Sequence, residues 1–465
     1  MQLDALFKPR SIAVVGASDK PTIGRRLIAS LDRLGFAGTV YPVNPGYAAV
    51  QNRPCYPSVG ELPEAPDIAV FCLGSARVLD AFVDAARRGI RAAVIYDGGF
   101  AEQGEAGRAL QTRIEDICRE AGIALCGPNC MGILNAHHRS STYMQELQDP
   151  AGLAGNVAFV SHSGGVCIGM LTDMRRFGFS HVVSSGNEAV VSAADYLEYL
   201  VEEPETQAIG CFLETIRDKE RFAAALDRAA ALGKPVAVLK VGRAERSRRA
   251  ALSHTGGPSE DPAAAIELLR AHRAIAVDDL AELTEVLAAC QAPKGPAGRR
   301  IGVVTSSGGL AELILDLAAA NGLAVPPLSP AQKAALEADI GFVTGDGNPC
   351  DAWGSGTYTA NLPRALRLFD ASPEHDVVVL CRDNFDGQPF DVPQTALGYF
   401  ELFAAAAATS AKPHYVLTSR PGLMDRTLVA HLRERRVAVL SGLREGLMAI
   451  DRLARNRSGQ ASQGG

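Results

Sequence analysis

The sequence has no C-x-x-C pair among its ten cysteines and no basic-then-apolar leader. It also has no apolar run long enough to span a bilayer. Each absence removes a class of protein. Without paired cysteines the spacing does not suit a zinc site, and no metal is expected. Cys72 in "IAVFCLG" and Cys211 in "IGCFLE" sit in strand-like runs, where small buried thiols of a reducing cytoplasm belong. The net charge is only −6, which excludes wholesale nucleic-acid binding, and no membrane partner is expected. No G-x-x-x-x-G-K-[ST] occurs, so no P-loop supplies ATP. "VVGASDKPTIGRR" is not a G-x-G-x-x-G, and Asn44 in "YPVNP" stands where a ribose-binding carboxylate would be. Both facts argue against a nicotinamide-dependent oxidoreductase.

What is present is alternation. The 465 residues, 47% hydrophobic and 21% charged, suffice for about three domains at roughly 150 residues each. Short β-branched runs alternate with Ala/Leu-rich helical patterns. This predicts α/β folding, with parallel sheets covered by helices on both faces. A first series runs from "SIAVVGAS" to "IALCGPNCMG" and closes near residue 130. A second starts at "NVAFVSHSGGVCIGMLTDM" and ends near residue 290, before the linker "QAPKGPAGRR". A third runs from "RIGVVTSSGGLAELILDLA" to near residue 453. The tail "RNRSGQASQGG" is poor in apolar residues and is expected to be disordered. "AFVSHSGGV" aligns with "GVVTSSGGL", and "SSGNEAVVSAADY" is echoed by "GDGNPCDAW". These pairs suggest two copies of one module.

Ligands of open α/β sheets bind at the carboxyl ends of the strands. After the first strand, Gly16, Ala17, Ser18 and Gly24 form either a phosphate-approaching turn or a tight strand–helix turn. In "VSHSGGVCIG", Ser161, Ser163, Gly164 and Gly165 open a helix with small side chains and free amides. That is either a phosphate site or a bare helix cap. "TSSGGLAE" looks alike and could be a non-functional copy. The basic run Arg243, Arg246, Arg248 and Arg249 is either a solvated loop or one that meets an anion.

His254 lies in "SRRAALSHTGG" among small residues. A lone histidine is usually solvated or structural, but a ring on a Ser/Thr/Gly loop can swing. Nearby arginines favour the neutral imidazole, which is the nucleophilic form. Glu214, ending "AIGCFLE", could accept the N–H of one ring nitrogen and leave the other free to attack.

Taken together, "VVGAS", "VYPVNP", "GPNCMGILN", "VSHSGGV", "SSGNEAVVSAADYLEYL", "FLETIRD", "KVGR" and "SHTG" resemble the NDP-forming acyl-CoA synthetases. The likeness is strongest to the α subunit of ADP-forming acetate–CoA ligases, relatives of succinyl-CoA synthetase. It covers about residues 1–453. It implies a Rossmann-like CoA-binding domain over 1–130, followed by two flavodoxin-like domains. Residues 131–292 form the one with a phosphohistidine loop, residues 300–453 the second, and 454–465 the tail. The implied reaction joins a carboxylic acid to coenzyme A through an acyl phosphate and a phosphohistidine at His254, with Glu214 as its carboxylate partner. Ser161, Ser163, Gly164 and Gly165 would hold the phosphate. CoA would be bound by Gly16, Ala17, Ser18, Asn44, Leu73, Gly74, Ser75, Gly98, Asn129 and Cys130, all at expected carboxyl ends of one sheet. The chain ends without an ATP-grasp domain, so the resemblance implies a hetero-oligomer whose separate β subunit brings ATP/ADP and Mg. The family's "SQSG" is "SHSG" here, which makes His162 a substituted polar contact rather than a second nucleophile. "GPSEDP", with Glu260, Asp261 and two prolines, departs from the family's small apolar residues and could stiffen the swinging loop. "CRDNFDGQPFDVPQ" matches no family motif. A CoA-binding regulatory or scaffold protein without ligase turnover is the alternative.

Overall fold

The computed structural model describes residues 3–147, 150–171, 176–247, 261–355, 357–385, 393–422 and 424–461. The chain divides into two compact units. One is Met1–Met174 with Gly178–Ala276; the other is Arg175–Phe177 with Val277–Gly465.

The first unit begins with a parallel sheet. Its strands are β1 (Ser11–Val15), β2 (Thr39–Val43), β5 (Ile68–Phe71), β6 (Ala92–Ile95) and β7 (Ala124–Cys126), with a small hairpin of β3 (Ala49–Val50) and β4 (Arg53–Pro54) after β2. Ile12, Val14, Ile68 and Val70 pack into one buried cluster, and Ala13, Val15, Ala69 and Phe71 into another. Alternate residues of a strand face opposite ways, so both faces of this sheet are covered and its strands are apolar throughout. Covering helices show the matching period. Ile23–Leu34 buries Leu27, Ile28, Leu31 and Leu34 and stops at Gly35, whose φ of +68° suits the left-handed C-cap. Each such buried side chain contributes about 2 kcal/mol.

The second sheet of this unit contains β8 (Gly132–Asn135), β9 (Ser140–Ser141), β10 (Ala154–Ser161), β11 (Phe179–Ser184), β12 (Ala208–Leu213), β13 (Val236–Lys240) and β14 (Ile275–Val277). The other unit has β15 (Ile301–Thr305), β16 (Cys350–Asp351), β17 (Val377–Cys381), β18 (His414–Leu417) and β19 (Ala438–Leu440). The strand orders are β2-β1-β5-β6-β7, β14-β13-β12-β10-β11-β8-β9 and β16-β15-β17-β18-β19. Setting β8 and β9 aside, all three follow one pattern. The second strand lies on one side of the first, and the third to fifth lie on the other. Each sheet therefore has a switch point beside its first strand, where a doubly wound fold opens a crevice.

Three expectations change. β8 runs antiparallel to β11, with Leu134 opposite Val182, so the second sheet is not wholly parallel. The "SSGN" and "GDGN" segments are not equivalent, because the first follows β11 and the second precedes β16. Asn348 of "GDGN" accepts from Val303 N–H and donates to the Ile301 carbonyl, occupying the flank of β15 as a strand would. The tail is not disordered from residue 454, because the last helix spans Leu443–Ala461. Leu453 and Ala454 are buried at the start of this stretch, and Arg455 pairs with Asp451 one turn back, a small addition to the helix.

Candidate functional site

At the first switch point, β1 turns at Gly16. Its φ is +91°, and a Cβ there would stand 2.7 Å from the Cys72 carbonyl oxygen. Only glycine lets the two strand ends approach this closely. Ala17 is fully buried, and Ser18 Oγ lies 3.1 Å from Thr22 Oγ1. Asn44 donates to the Ala17 carbonyl at 2.7 Å and accepts from Gly46 N–H. It therefore holds the two turns together. Leu73 borders Gly16, and Gly74 is the extended cap of the helix Ser75–Arg88. The Ser75 amide donates to an Asp97 carboxylate oxygen at 2.7 Å. Asp97, at the end of β6, was not marked by the sequence pattern, yet it occupies the amide expected to face a phosphate. Gly98 follows it, with space for a Cβ limited by Glu102 and Asn129. Asn129 adopts φ +57° and donates to Asn187 Oδ1 at 3.2 Å. Cys130 is a correction: its thiol is buried and donates to the Ile95 carbonyl. Its side chain belongs to the core rather than to the crevice.

Glu102 ties this crevice to the next sheet. Its carboxylate accepts from Gly99 N–H at 2.6 Å, Phe100 N–H at 3.0 Å and Asn187 Nδ2 at 2.6 Å. Burial alone would raise its pKa, but these hydrogen bonds outweigh it and hold the carboxyl below its ordinary range.

At the second switch point, β10 ends in Ser161 and opens into the helix Gly164–Leu171. Ser161 is fully buried; its Oγ accepts from Ser163 N–H and donates to the Ser163 carbonyl. Its hydroxyl therefore builds the turn, which removes it from the expected phosphate contacts. Ser163 Oγ accepts from Val166 N–H at 3.4 Å, as a cap does. A Cβ on Gly164 would stand 2.5 Å from Met131 Sδ, whereas one on Gly165 would meet only Ser163 Oγ at 3.9 Å. Ser163, Gly164 and Gly165 thus form a helix start whose amides lack an intrahelical acceptor.

Between these residues lies His162, buried in the turn. Its Nδ1 accepts from Glu214 N–H at 3.1 Å, and its Nε2 lies 2.9 Å from Glu188 Oε1. Glu214 begins the loop after β12, and its carbonyl accepts from Lys240 Nζ at 2.8 Å. Lys240 also bonds the Val241 carbonyl and is buried at the end of β13. Sequence reasoning placed Glu214 correctly at a strand end. It missed Glu188 and Lys240, which lie 26 residues from the groups they hold.

His254, Arg248, Arg249 and Glu260 lie outside the described residues. Arg243 donates to the Lys240 carbonyl. Asp261 and Pro262 have a local explanation: Asp261 Oδ1 accepts from Ala263 N–H, and Pro262 is the first residue of the helix Pro262–Ala271. A capping aspartate followed by proline at N1 starts a helix, so this part of "GPSEDP" opens the helix Pro262–Ala271.

In the other unit, "TSSGG" likewise opens the helix Gly308–Ala320, with Trp353 Nε1 donating to the Ser306 carbonyl. Within residues 381–394, Asp383 accepts from Ser419 N–H and Oγ, and the Arg382 guanidinium stands 4.1 Å over the Tyr399 ring. Residues 386–392 are outside the described set. Burial pushes the thiols of Cys118 and Cys211 up to about 12, away from nucleophilic roles.

A CoA binding domain family matches residues 10–136, and a succinyl-CoA ligase like flavodoxin domain family matches residues 154–290. Subunit alpha of the ADP-forming acetate–CoA ligase II of Pyrococcus furiosus is 31% identical over 381 residues, which is 81% of each chain. The chain belongs to the NDP-forming acyl-CoA synthetase family. A trans-feruloyl-CoA synthase from an unknown prokaryotic organism is 35% identical over 358 residues, 75% of this chain and 50% of that protein. The chain therefore spans about half the length of that relative. The solved dinucleotide forming acetyl-coenzyme A synthetase 1 of Ca. Korarchaeum cryptofilum, in complex with phosphate and ADP, has 28% identity and a TM-score of 0.86, covering 99% of both chains. The family's CoA-binding match spans the first switch point, and its flavodoxin match spans the second. No helix among the described residues is long and apolar enough to cross a membrane.

Proposed function

We propose that this chain is the CoA-binding and phosphoryl-carrying part of an ADP-forming acyl-CoA synthetase. The observation that carries the reading is Glu214. Its main chain is bonded on one side to His162 of the turn and on the other to Lys240, which anchors the residue that carries the carboxylate to the turn opening the helix Gly164–Leu171. Such a start stabilises a phosphoryl group, and the carboxylate orients an imidazole.

Three transfers follow in the direction of synthesis. A ring nitrogen of His254 attacks the γ-phosphorus of ATP; the N–P bond forms, the P–O bond breaks and ADP leaves. The acid's carboxylate oxygen then attacks that phosphorus, giving acyl phosphate and free imidazole. Finally the CoA thiolate attacks the acyl carbon, forming the thioester and releasing inorganic phosphate. Glu214 accepts the N–H of the nitrogen that does not attack. Ser163, Gly164 and Gly165 hold the phosphoryl oxygens. CoA lies along Gly16, Ala17, Ser18, Leu73, Gly74, Ser75, Gly98 and Asn129 at the strand ends of the first sheet, with the Ser75 amide held by Asp97. Asn44 and Asp97 shape that crevice.

ATP and Mg are supplied by an ATP-grasp partner. The Pyrococcus relative named as a subunit is similar over 81% of each chain, which supports a partner of that kind. Residues 1–130 hold CoA, 131–292 the phosphohistidine loop, and 300–453 form a second flavodoxin-like domain. The assembly works in the cytoplasm, in keeping with ten free cysteines. The acid is the variable part, since the relatives' names include acetate, 4-hydroxybutyrate and trans-feruloyl-CoA.

The deciding experiment is labelling by acetyl phosphate, or by ATP with a verified ATP-grasp partner. The label is expected on His254, acid-labile and stable to base, and absent from His254→Ala and His254→Asn. Glu214→Gln slows labelling on the order of a hundredfold, because orientation is lost while the nucleophile stays. A chain that binds CoA but takes no label from either donor is a CoA-binding scaffold instead.

A further inference from the structure

His162 is the least expected member of the phosphate turn. It is 4% exposed, its partner Glu188 is also 4% exposed, and neither enters the three transfers above. The ring uses both nitrogens. Because Nδ1 accepts a main-chain N–H, the ring proton is on Nε2 and points to Glu188. Glu188 is itself held in an uncommon conformation, with φ +52° on a non-glycine residue. Arg217, three residues beyond Glu214 in the same loop, lies 3.9 Å from Glu188 Oε2 and donates to the Asn187 carbonyl at 2.8 Å. Asn187 in turn donates to Glu102, which gathers the amides of Gly99 and Phe100. Hydrogen bonds on either side of the 187–188 peptide link therefore connect the first crevice to His162 and, through it, to the amide of Glu214.

We infer that His162 and Glu188 are positioning residues, which set the place of Glu214 by fixing the tautomer and direction of the ring that accepts its amide. The inference rests on the synthetase reading for its purpose, but its geometry stands on these contacts alone. An imidazole bonded at both nitrogens has one orientation. A neighbouring carboxylate that accepts from Nε2 leaves Nδ1 as the sole acceptor, which is how second partners fix histidine tautomers elsewhere. The strained Glu188 backbone is consistent with a group held for function rather than for packing. Glutamine at position 162 can play the same part, since its carbonyl accepts and its amide donates from neighbouring atoms. Leucine fills a similar volume and can do neither.

Three measurements test this. First, selective nitrogen labelling of histidine should show His162 as a single Nε2–H tautomer with Nδ1 in a hydrogen bond. A ring protonated on Nδ1, or averaging between tautomers, overturns the proposal. Second, phosphorylation of the purified chain by acetyl phosphate, or by ATP with the ATP-grasp partner, should slow about a hundredfold in His162→Leu, the scale for misplacement of a reacting group by about an ångström. It should recover to within about threefold in His162→Gln, since both hydrogen bonds return. CoA affinity should stay near wild type in both variants, and thermal unfolding near wild type in His162→Gln. His162→Leu should unfold at lower temperature, because the buried Glu188 carboxylate and Glu214 N–H lose their partner. Leucine that labels as fast as wild type overturns the proposal, and so does glutamine that is as slow as leucine. Third, Glu188→Gln keeps an acceptor for Nε2 and should resemble wild type, while Glu188→Leu should resemble His162→Leu. If wild type takes no label from either donor, the synthetase reading falls, and the tautomer measurement still decides the geometry. If His162→Leu does not fold, the tautomer and the His162→Gln rate carry the test.

Discussion

At the scale of single residues, the buried histidines show how differently one side chain is used. His162 has a partner at each nitrogen. His181, in β11, has none at hydrogen-bond distance and packs edge-on to Phe7 with centroids 5.2 Å apart. Burial therefore lowers its pKa to about 3, with Lys8 adding to the effect. The folded chain keeps this ring neutral while the unfolded chain protonates it below about pH 6.5. Between those two values the unfolded state binds more protons, so stability falls as pH falls. Depressed carboxylates such as Glu102 and Asp195 act in the same sense at lower pH, since their contribution is present above the ordinary carboxylate range and is lost below it. His181→Phe removes the first of these losses. The drop in Tm from pH 7 to pH 5.5 should be smaller in that variant than in wild type, as read by calorimetry. An equal drop in both would show that another group titrates there.

At the scale of elements, helix starts govern how the loops of the site are held. The helix Pro262–Ala271 buries Ala265 and Leu269 and begins immediately after the segment that carries His254. Its start relies on Asp261. Asp261→Ala should cost this helix about 1 kcal/mol, while Asp261→Asn should cost only a few tenths, because asparagine caps as well. Amide hydrogen exchange of residues 263–266 is the measurement, and equal protection in the two variants would rule out the cap. Much at this scale was legible in the sequence. The strand at Ser11–Val15, the helix at Ile23–Leu34 and the turn at 161–165 follow from apolar period, Gly and Ser placement. The antiparallel β8 was not, because "GILN" is four residues long and carries no period of its own. The last helix runs past its apolar stripe to Ala461, which a reading of hydrophobicity alone overlooks.

At the scale of the whole molecule, three sheets share one strand order once β8 and β9 are set aside, yet the proposed chemistry is asked of two crevices in one unit. We expect the purified chain to bind CoA and to make no acyl-CoA from acid, CoA and ATP. Addition of an ATP-grasp partner should restore ATP-dependent thioester formation, measured by thiol loss. Turnover by the chain alone would place nucleotide chemistry within these residues and refute the division of labour.

The sequence by itself determined the fold class, the number of strand–helix series and the carboxyl-end position of nearly every candidate residue. These depend on side-chain period and turn chemistry, which act between near neighbours along the chain. Only the tertiary structure decided which groups meet. Ser161 and Cys130 sit at the expected turns but point inward, because each turn needs its own hydrogen bonds and core contacts. Glu188, Lys240 and Glu102 reach their partners across sheet neighbours whose order is set by crossover packing, and no local pattern encodes that order.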